Sequence, residues 1–280
     1  MAQTYAAAHL NAVDERVYLE SLTMGVFDSK DVRLDFNGRN SVTIYNVNTV
    51  AESDYIRTGF GRFGALVELG TGTQTLTLSQ DKSFNFSIDR GNYADSQMVT
   101  EAAKAVKRQV REVSVPATDV YNLGVLTAYA IANSQGSIGS TAVSNTTAYS
   151  LILAQQAALT ELKYSKKGRT LWVTPTVLNL LKRDPEFKQD CDLAYKDGKE
   201  GTVGIVDGLV IKEVPASYMV AKFEFMITCE GVGVAVNKFN MVRTLDNDKD
   251  VDGWICQGRR YHDMFVLGQK GTGIRIKTSP

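Results

Sequence analysis

Hydrophobic and polar positions alternate with period two between residues 41 and 90. Val42, Ile44 and Val47 open the stretch. Leu76 and Leu78 then alternate with Thr75 and Thr77, and Phe84, Phe86 and Ile88 alternate with Asn85 and Ser87. That period predicts strands. Between them lies DYIRTGFGRFGALVELGTGTQT, with five glycines, which predicts a long, mobile hairpin or loop. An arm of about 15 extended residues reaches roughly 50 Å, too far for an internal loop but suited to contact with a neighbour. Residues 1–40 have a mixed pattern broken by Gly25 and Gly38. They read as an arm, with short helical turns from Ala6 to Leu22.

The period changes to that of a helix over residues 95–113. Val99, Ala102, Ala103, Val106, Val110 and Val113 fall on one face, and Lys104, Lys107, Arg108 and Arg111 on the other. Asp95 or Ser96 is placed to cap it, and Pro116 is expected to open a second helix with Val120, Leu123 and Leu126. Residues 134–147 carry no charge and are rich in Gly, Ser and Thr, which predicts a linker or surface loop at a subdomain boundary. A third amphipathic helix follows, with Leu151, Ala158, Leu159 and Leu162 in register. Then come a basic turn at Lys166, Lys167, Gly168 and Arg169, a buried strand from Thr170 to Thr174, and a short helix after Pro175. From Gly201 onward the chain is mainly short strands. Helices and strands are segregated, an α+β pattern without the βαβα alternation of a doubly wound sheet.

Composition narrows the function. The chain has 280 residues, 44% hydrophobic and 22% charged, with 31 basic and 31 acidic residues. Zero net charge and the lack of a basic tail exclude a protein that condenses nucleic acid by its own charge. No apolar run reaches about 18 residues, so no membrane partner is expected, and the N-terminus does not read as a secretory signal. Cys191, Cys229 and Cys256 are scattered, which argues against a disulfide framework. His9 and His262 are the only histidines, which limits general-base chemistry and zinc binding.

Two motifs hint at ligands, and each has a plainer reading. Gly59, Gly61 and Gly64 match G-x-G-x-x-G, but polar residues precede them and further glycines follow, so the strand–turn–helix context of a dinucleotide site is not expected. Asp248, Asp250, Asp252 and Gly253 match the first half of a calcium loop. Arg259 stands where the closing glutamate belongs, so a solvated turn is expected. There is no G-x-S-x-G, and His262 lies in a strand pattern without an obvious partner. No catalytic residue, cofactor or metal site is predicted. The basic face Lys104, Lys107, Arg108 and Arg111 reads as a solvated face or one that pairs with a neighbouring subunit. Within the loop, Arg57, Phe60, Arg62 and Phe63 combine side chains that often dominate interfaces.

The order of elements resembles the major capsid proteins of tailed bacteriophages, the Hong Kong 97 type fold that encapsulin shells share. Three stretches carry the likeness: FNFSIDRGNYADSQMV leading into the helix at 95–113, ALTELKYSKKGRTLWVTPTVLNLLKRDPEF, and GTVGIVDGLVIKEVP. The closing RRYHDMFVLGQKGTGIRI adds to it. The resemblance implies an N-terminal arm (1–40), an extended β-hairpin loop (41–92) and a peripheral domain with a spine helix (93–135). It further implies an axial domain (136–238), return strands of the peripheral domain (239–267) and a C-terminal strand to the axial domain (268–280).

By the same resemblance the chain is not an enzyme. The resemblance implies self-assembly through hexamers and pentamers into an icosahedral shell around double-stranded DNA, without sequence-specific contacts. The partners it implies are copies of the chain itself, a portal, and separate scaffolding or decoration proteins. The expected location is the virion, with the host cytoplasm during assembly. Some capsids cross-link a loop lysine to a neighbour's asparagine; residues 50–75 contain no lysine, so that chemistry is not expected. The alternatives are an encapsulin-type compartment and, more remotely, a metal- or nucleotide-binding enzyme.

Overall fold

The β-branched, period-two stretches form strands, and the helical stretches pack on them. A computed structural model describes residues 21–27, 35–37, 41–95, 102–190, 202–248 and 251–280. The chain divides into a unit spanning residues 29–79 and a second made of residues 1–28 and 80–280.

The smaller unit is a three-stranded antiparallel sheet, β1 (Asp35–Asn37), β2 (Ser41–Val47) and β3 (Thr71–Thr77). Val42 pairs with Leu76 and Ile44 with Gln74. Val42, Thr43 and Ile44 are buried, and Tyr45 is exposed.

The larger unit begins with β4 (Gln80–Asp89) and the short helix α1 (Arg90–Asp95). Phe84, Phe86 and Ile88 do lie on a strand, but its partner is not the preceding hairpin. β4 pairs antiparallel with a late strand: Ile88 lies opposite Trp254 and Phe84 opposite Gly258. A hairpin extending to residue 92 is therefore corrected, since the β2–β3 pairing closes at Thr77.

The spine of the unit is α2 (Ala102–Gln109), a π-helical turn over Val110–Ser114, and α3 (Val115–Ala132), one continuous run of helical backbone. Pro116 stands in the first turn of α3, as expected, but the backbone that enters α3 is already helical. The proline lacks an N–H, and its ring crowds the carbonyl four residues earlier in a regular α-helix. The widened turn absorbs this: Val115 N–H bonds back to Val110 O, and Ser114 O accepts the Thr118 hydroxyl at 3.0 Å and the Arg260 guanidinium. The extra residue also shifts the helical phase. Val106 and Val110 are only half-buried and Val113 is exposed, so the apolar face expected through Val113 stops short. Burial resumes in a new register at Asp119, Asn122, Leu123, Leu126 and Ala130. Val99 and the Ser96 cap lie outside the described residues.

After α3 come β5 (Gly136–Ser137), α4 (Ala148–Glu161), β6 (Thr170–Val173), α5 (Pro175–Arg183), α6 (Pro185–Asp190), β7 (Thr202–Val206), β8 (Leu209–Glu213) and β9 (Phe223–Thr228). Two 16-residue strands, β10 (Gly233–Asp248) and β11 (Val251–Val266), form a hairpin that β4 extends to three strands. β12 (Ile274–Thr278) ends the chain. The six-stranded sheet runs β5-β12-β9-β6-β8-β7. Its central β6 and β9 are buried at every position, as expected of strands covered on both faces. Trp172 is wholly buried, stacks on Phe27 at 5.7 Å and donates its indole N–H to Thr228 Oγ1 at 2.9 Å.

Two segments read from sequence as peripheral are built in. Residues 134–147 are not a free linker. Gly136 pairs with Ile276, so closely that a Cβ would lie 2.0 Å from the Ile276 carbonyl oxygen, and Val143 is buried. Within the expected arm, Leu22 and Phe27 are buried in the packed core.

Candidate subunit interface

The loop between β2 and β3, residues 48–70, is exposed at every position. Asn48 N–H to Gly70 O (3.0 Å) closes its base, and Ile56 N–H to Arg62 O (3.0 Å) ties its two sides near the tip. Gly59, Gly61 and Gly64 have positive φ of 93°, 73° and 77°, which side chains disfavour. This explains the glycine spacing as backbone geometry. The segment runs from β2 through a turn into β3, not from a strand into a helix, so the dinucleotide context is missing.

The loop carries eight large apolar side chains in the open: Val50, Tyr55, Ile56, Phe60, Phe63, Leu66, Val67 and Leu69. Phe63 packs edge-on against Tyr55, with centroids 5.0 Å apart, and Ser53 Oγ donates to Phe63 O at 3.0 Å. Arg62 Nε donates to Gly59 O at 3.1 Å, so this arginine braces the turn. Arg57 is exposed. The sequence reading singled out Phe60 and Phe63 but missed Ile56, Leu66, Val67 and Leu69, whose high exposure no local pattern announces. Exposed apolar side chains gathered in one loop are characteristic of contact sites.

In the larger unit, Lys104 and Lys107 are exposed on α2. Arg108 and Arg111 converge on one carboxylate: Arg108 Nε lies 2.8 Å and Arg111 Nη2 3.9 Å from Glu112 Oε1. Glu112 thus offsets part of the charge of the basic face.

The acidic turn is engaged from below. Arg90 donates to Asp246 at 2.8 Å and lies 3.8 Å from Asp252, while its guanidinium sits over Trp254. Asp250 lies outside the described residues. Among those described, no cluster of His, Cys, Asp or Glu is arranged to hold a metal ion.

A groove of about 860 Å³ runs between the spine and the β10–β11–β4 sheet. On its floor His262 is buried and meets the Tyr121 ring edge-on, and Tyr121 donates its hydroxyl to Asp263 at 2.6 Å. Burial pushes the His262 pKa down; neighbouring Arg260 and Lys82 add to this and Asp263 opposes it. With Arg260 bonded to Ser114 O and Thr118 Oγ1, these contacts fasten the sheet to the spine at the π turn. Cys229 and Cys256 are buried, and burial raises the Cys229 pKa despite the influence of Arg169, opposite to what an activated thiol needs.

No protein-family profile and no curated protein sequence matches the chain. Solved structures do. A structure from Mycobacterium phage Che8 superposes with a TM-score of 0.67 at 17% identity, covering 99% of this chain and 97% of that one. The capsid structure of cyanophage P-SCSP1u gives 0.72 at 12% identity, covering 99% and 93%. The mature capsid of bacteriophage PhiM1 gives 0.66 at 13% identity, covering 99% and 92%. From its first described residues to its last strand, this chain has the α+β fold of phage capsid structures.

Proposed function

We propose that this chain is the major capsid protein of a tailed bacteriophage, a structural protein that assembles through hexamers and pentamers into an icosahedral shell around double-stranded DNA. The observation that carries this reading is the fold match over nearly the whole of both chains. The chain carries parts suited to a shell: a continuous helical spine, extended sheets, and a loop whose apolar side chains are exposed. Residues 41–79 serve as the reaching hairpin, 80–135 with 239–267 as the peripheral domain, and 136–238 with 268–280 as the axial domain. Arg57, Phe60 and Phe63 contact a neighbouring subunit, Arg62 holds the loop tip in shape, and Lys104 and Lys107 face a neighbour across the spine.

Closure of the shell uses repeated heterologous contacts. Many simultaneous contacts make loss of one subunit slow even where each is modest. Neutral net charge suits a shell filled through a portal by other means than its own attraction for DNA. Scaffolding or decoration proteins complete the partner set, and the mature protein resides in the virion.

The contents of shells recovered from the native source test this reading. Nuclease-protected double-stranded DNA is the expected result. Shells filled with an enzyme cargo and free of DNA would overturn it in favour of an encapsulin-type compartment.

A further inference from the structure

β10 is an edge of its three-stranded sheet. β11 lies on one side, and among the described residues no strand lies on the other. Near its start, Ala235 N–H bonds to Phe27 O at 3.0 Å; further along, no described backbone group outside the sheet bonds to it. From Phe239 to Asp246 the register with β11 runs without a bulge, so this stretch presents an uninterrupted row of open donors and acceptors. Native edges are usually blunted by proline, a bulge, lysine or a covering loop. Here the stretch reads FNMVRTLD, and its apolar side chains are uncovered: Phe239 is 37% exposed, Met241 44%, Val242 46% and Leu245 36%. β11 holds the outer row from one side only. The Arg259 guanidinium lies 5.2 Å over the Phe239 ring, and Arg243 Nε donates to Gln257 Oε1 at 2.8 Å.

The strand is complementary to itself. Laid antiparallel to a second copy and centred on Val242, it sets Lys238 opposite Asp246, Phe239 opposite Leu245, Asn240 opposite Thr244 and Met241 opposite Arg243, with Val242 facing its own counterpart. Opposite charges meet at the ends, and apolar groups meet between them, pairs that stabilise neighbouring strands. Asp246 gives Oδ1 to Arg90, which leaves Oδ2 for the lysine. Moving the centre to Arg243 would put two guanidinium groups directly opposite, which is destabilising. Moving it to Met241 would put Asp246 opposite Val236, which is buried.

Resting on the capsid reading, we propose that β10 pairs antiparallel with β10 of a second copy across a two-fold axis centred on Val242, joining two three-stranded sheets into one continuous sheet. A two-fold contact is isologous, the same patch meeting itself, as the self-complementary register requires. An axis perpendicular to the sheet keeps the same face of both copies outward, as a shell demands. One strand pair covers less than the roughly 800 Å² per partner of a stable interface, so the pairing forms between subunits that other contacts already gather.

The test is cross-linking in assembled shells. Val242→Cys is made in a Cys256→Ala background, because Cys256 lies beside that position on β11. Shells are oxidised with copper phenanthroline, which joins two thiols as a disulfide, and dimers are read on a non-reducing gel and by the mass of the linked peptide. Asn240→Cys in the same background is the control, since the register holds two such residues roughly 13 Å apart. Thiols bridge only when their Cα atoms lie within about 7 Å, so Val242→Cys should give about tenfold more dimer than Asn240→Cys. Should Val242→Cys fail to fold, mixed shells of Met241→Cys and Arg243→Cys chains carry the same test and should give a dimer linked between those two positions. Shells that form normally but link equally or not at all at these positions would overturn the edge pairing and leave the capsid reading standing. Linking of position 242 to a different protein of the shell would overturn it as well. A chain that never assembles would overturn both.

Discussion

Asp119 Oδ2 accepts the backbone N–H of Leu22 at 2.9 Å, joining positions 97 residues apart. The other oxygen, Oδ1, takes the Thr23 hydroxyl and N–H and the Ser21 hydroxyl. One buried carboxylate thus replaces the solvent of a whole turn, and Lys212 Nζ adds a bond to Leu22 O at 2.9 Å. Asp119→Ala strands several donors at once and should cost roughly 2–4 kcal/mol. Thermal unfolding reads the loss, and limited proteolysis should show new cleavage near residues 21–27. An unchanged melting temperature and digestion pattern would contradict the clamp.

A second buried pair closes the six-stranded sheet. Lys277 Nζ lies 2.9 Å from Glu224 Oε2, with the lysine side chain 1% exposed, and donates to Thr141 O at 2.6 Å. Glu224 Oε1 accepts the Val143 N–H at 2.7 Å. Either Lys277→Met or Glu224→Gln leaves the other group buried without its full set of partners and should cost about 3–5 kcal/mol. The double variant should cost clearly less than the sum of the two, since the groups are coupled. Additive losses in denaturant unfolding would show that the two act separately.

His262 makes stability depend on pH in a predictable direction. Its pKa lies below the ordinary 6.5 because burial and nearby Arg260 disfavour the charged ring. The unfolded chain therefore binds the proton more readily than the folded one. The neutral ring's contribution is complete above the unfolded value and is lost as pH falls through the folded one. Between pH 8 and pH 5 the parent should lose more stability than His262→Gln. Parallel melting-temperature profiles for the two proteins would contradict this.

The loop between β2 and β3 gives the assembly prediction. Phe60 and Leu66 are fully exposed, so Phe60→Ser/Leu66→Ser should leave circular dichroism and thermal unfolding of the monomer unchanged. Arg57→Ala/Arg62→Ala should do the same for the fold, although Arg62 also braces Gly59. Both should weaken assembly, the arginine pair by roughly 2–4 kcal/mol per contact. Shells formed in equal yield with equal resistance to denaturant would reduce the loop to a tether.

The strands and helices with strong periodicity were legible in the sequence: the alternation at Phe84, Phe86 and Ile88, the all-buried TLWV of β6, and the helix after Pro175 all lie where the pattern places them. Which strand pairs with which was not. β4 follows β3 by two residues, yet bonds to β11 across the length of the chain, because pairing is decided by tertiary packing that local alternation does not encode. The π turn was hidden because Val113 fits a 3.6 period; only the conflict between Pro116 and the carbonyl of Glu112 pointed to it. Charged residues in the core were missed for a similar reason. Arg169, Asp119 and Lys277 look like surface residues by type, and their burial depends on partners brought from distant segments. In the candidate interface, arginines and aromatics were readable from composition. The bracing of Arg62 by its own loop and the sharing of Glu112 by Arg108 and Arg111 needed the backbone path.

Self-association is the central claim, and electron microscopy of the purified chain across a range of salt and concentration, with and without a co-expressed scaffold, tests it most directly. The account predicts rings, capsomers or closed shells with icosahedral symmetry, each subunit's β2–β3 loop seated on a neighbour. A chain that stays monomeric under every condition, scaffold included, would contradict it.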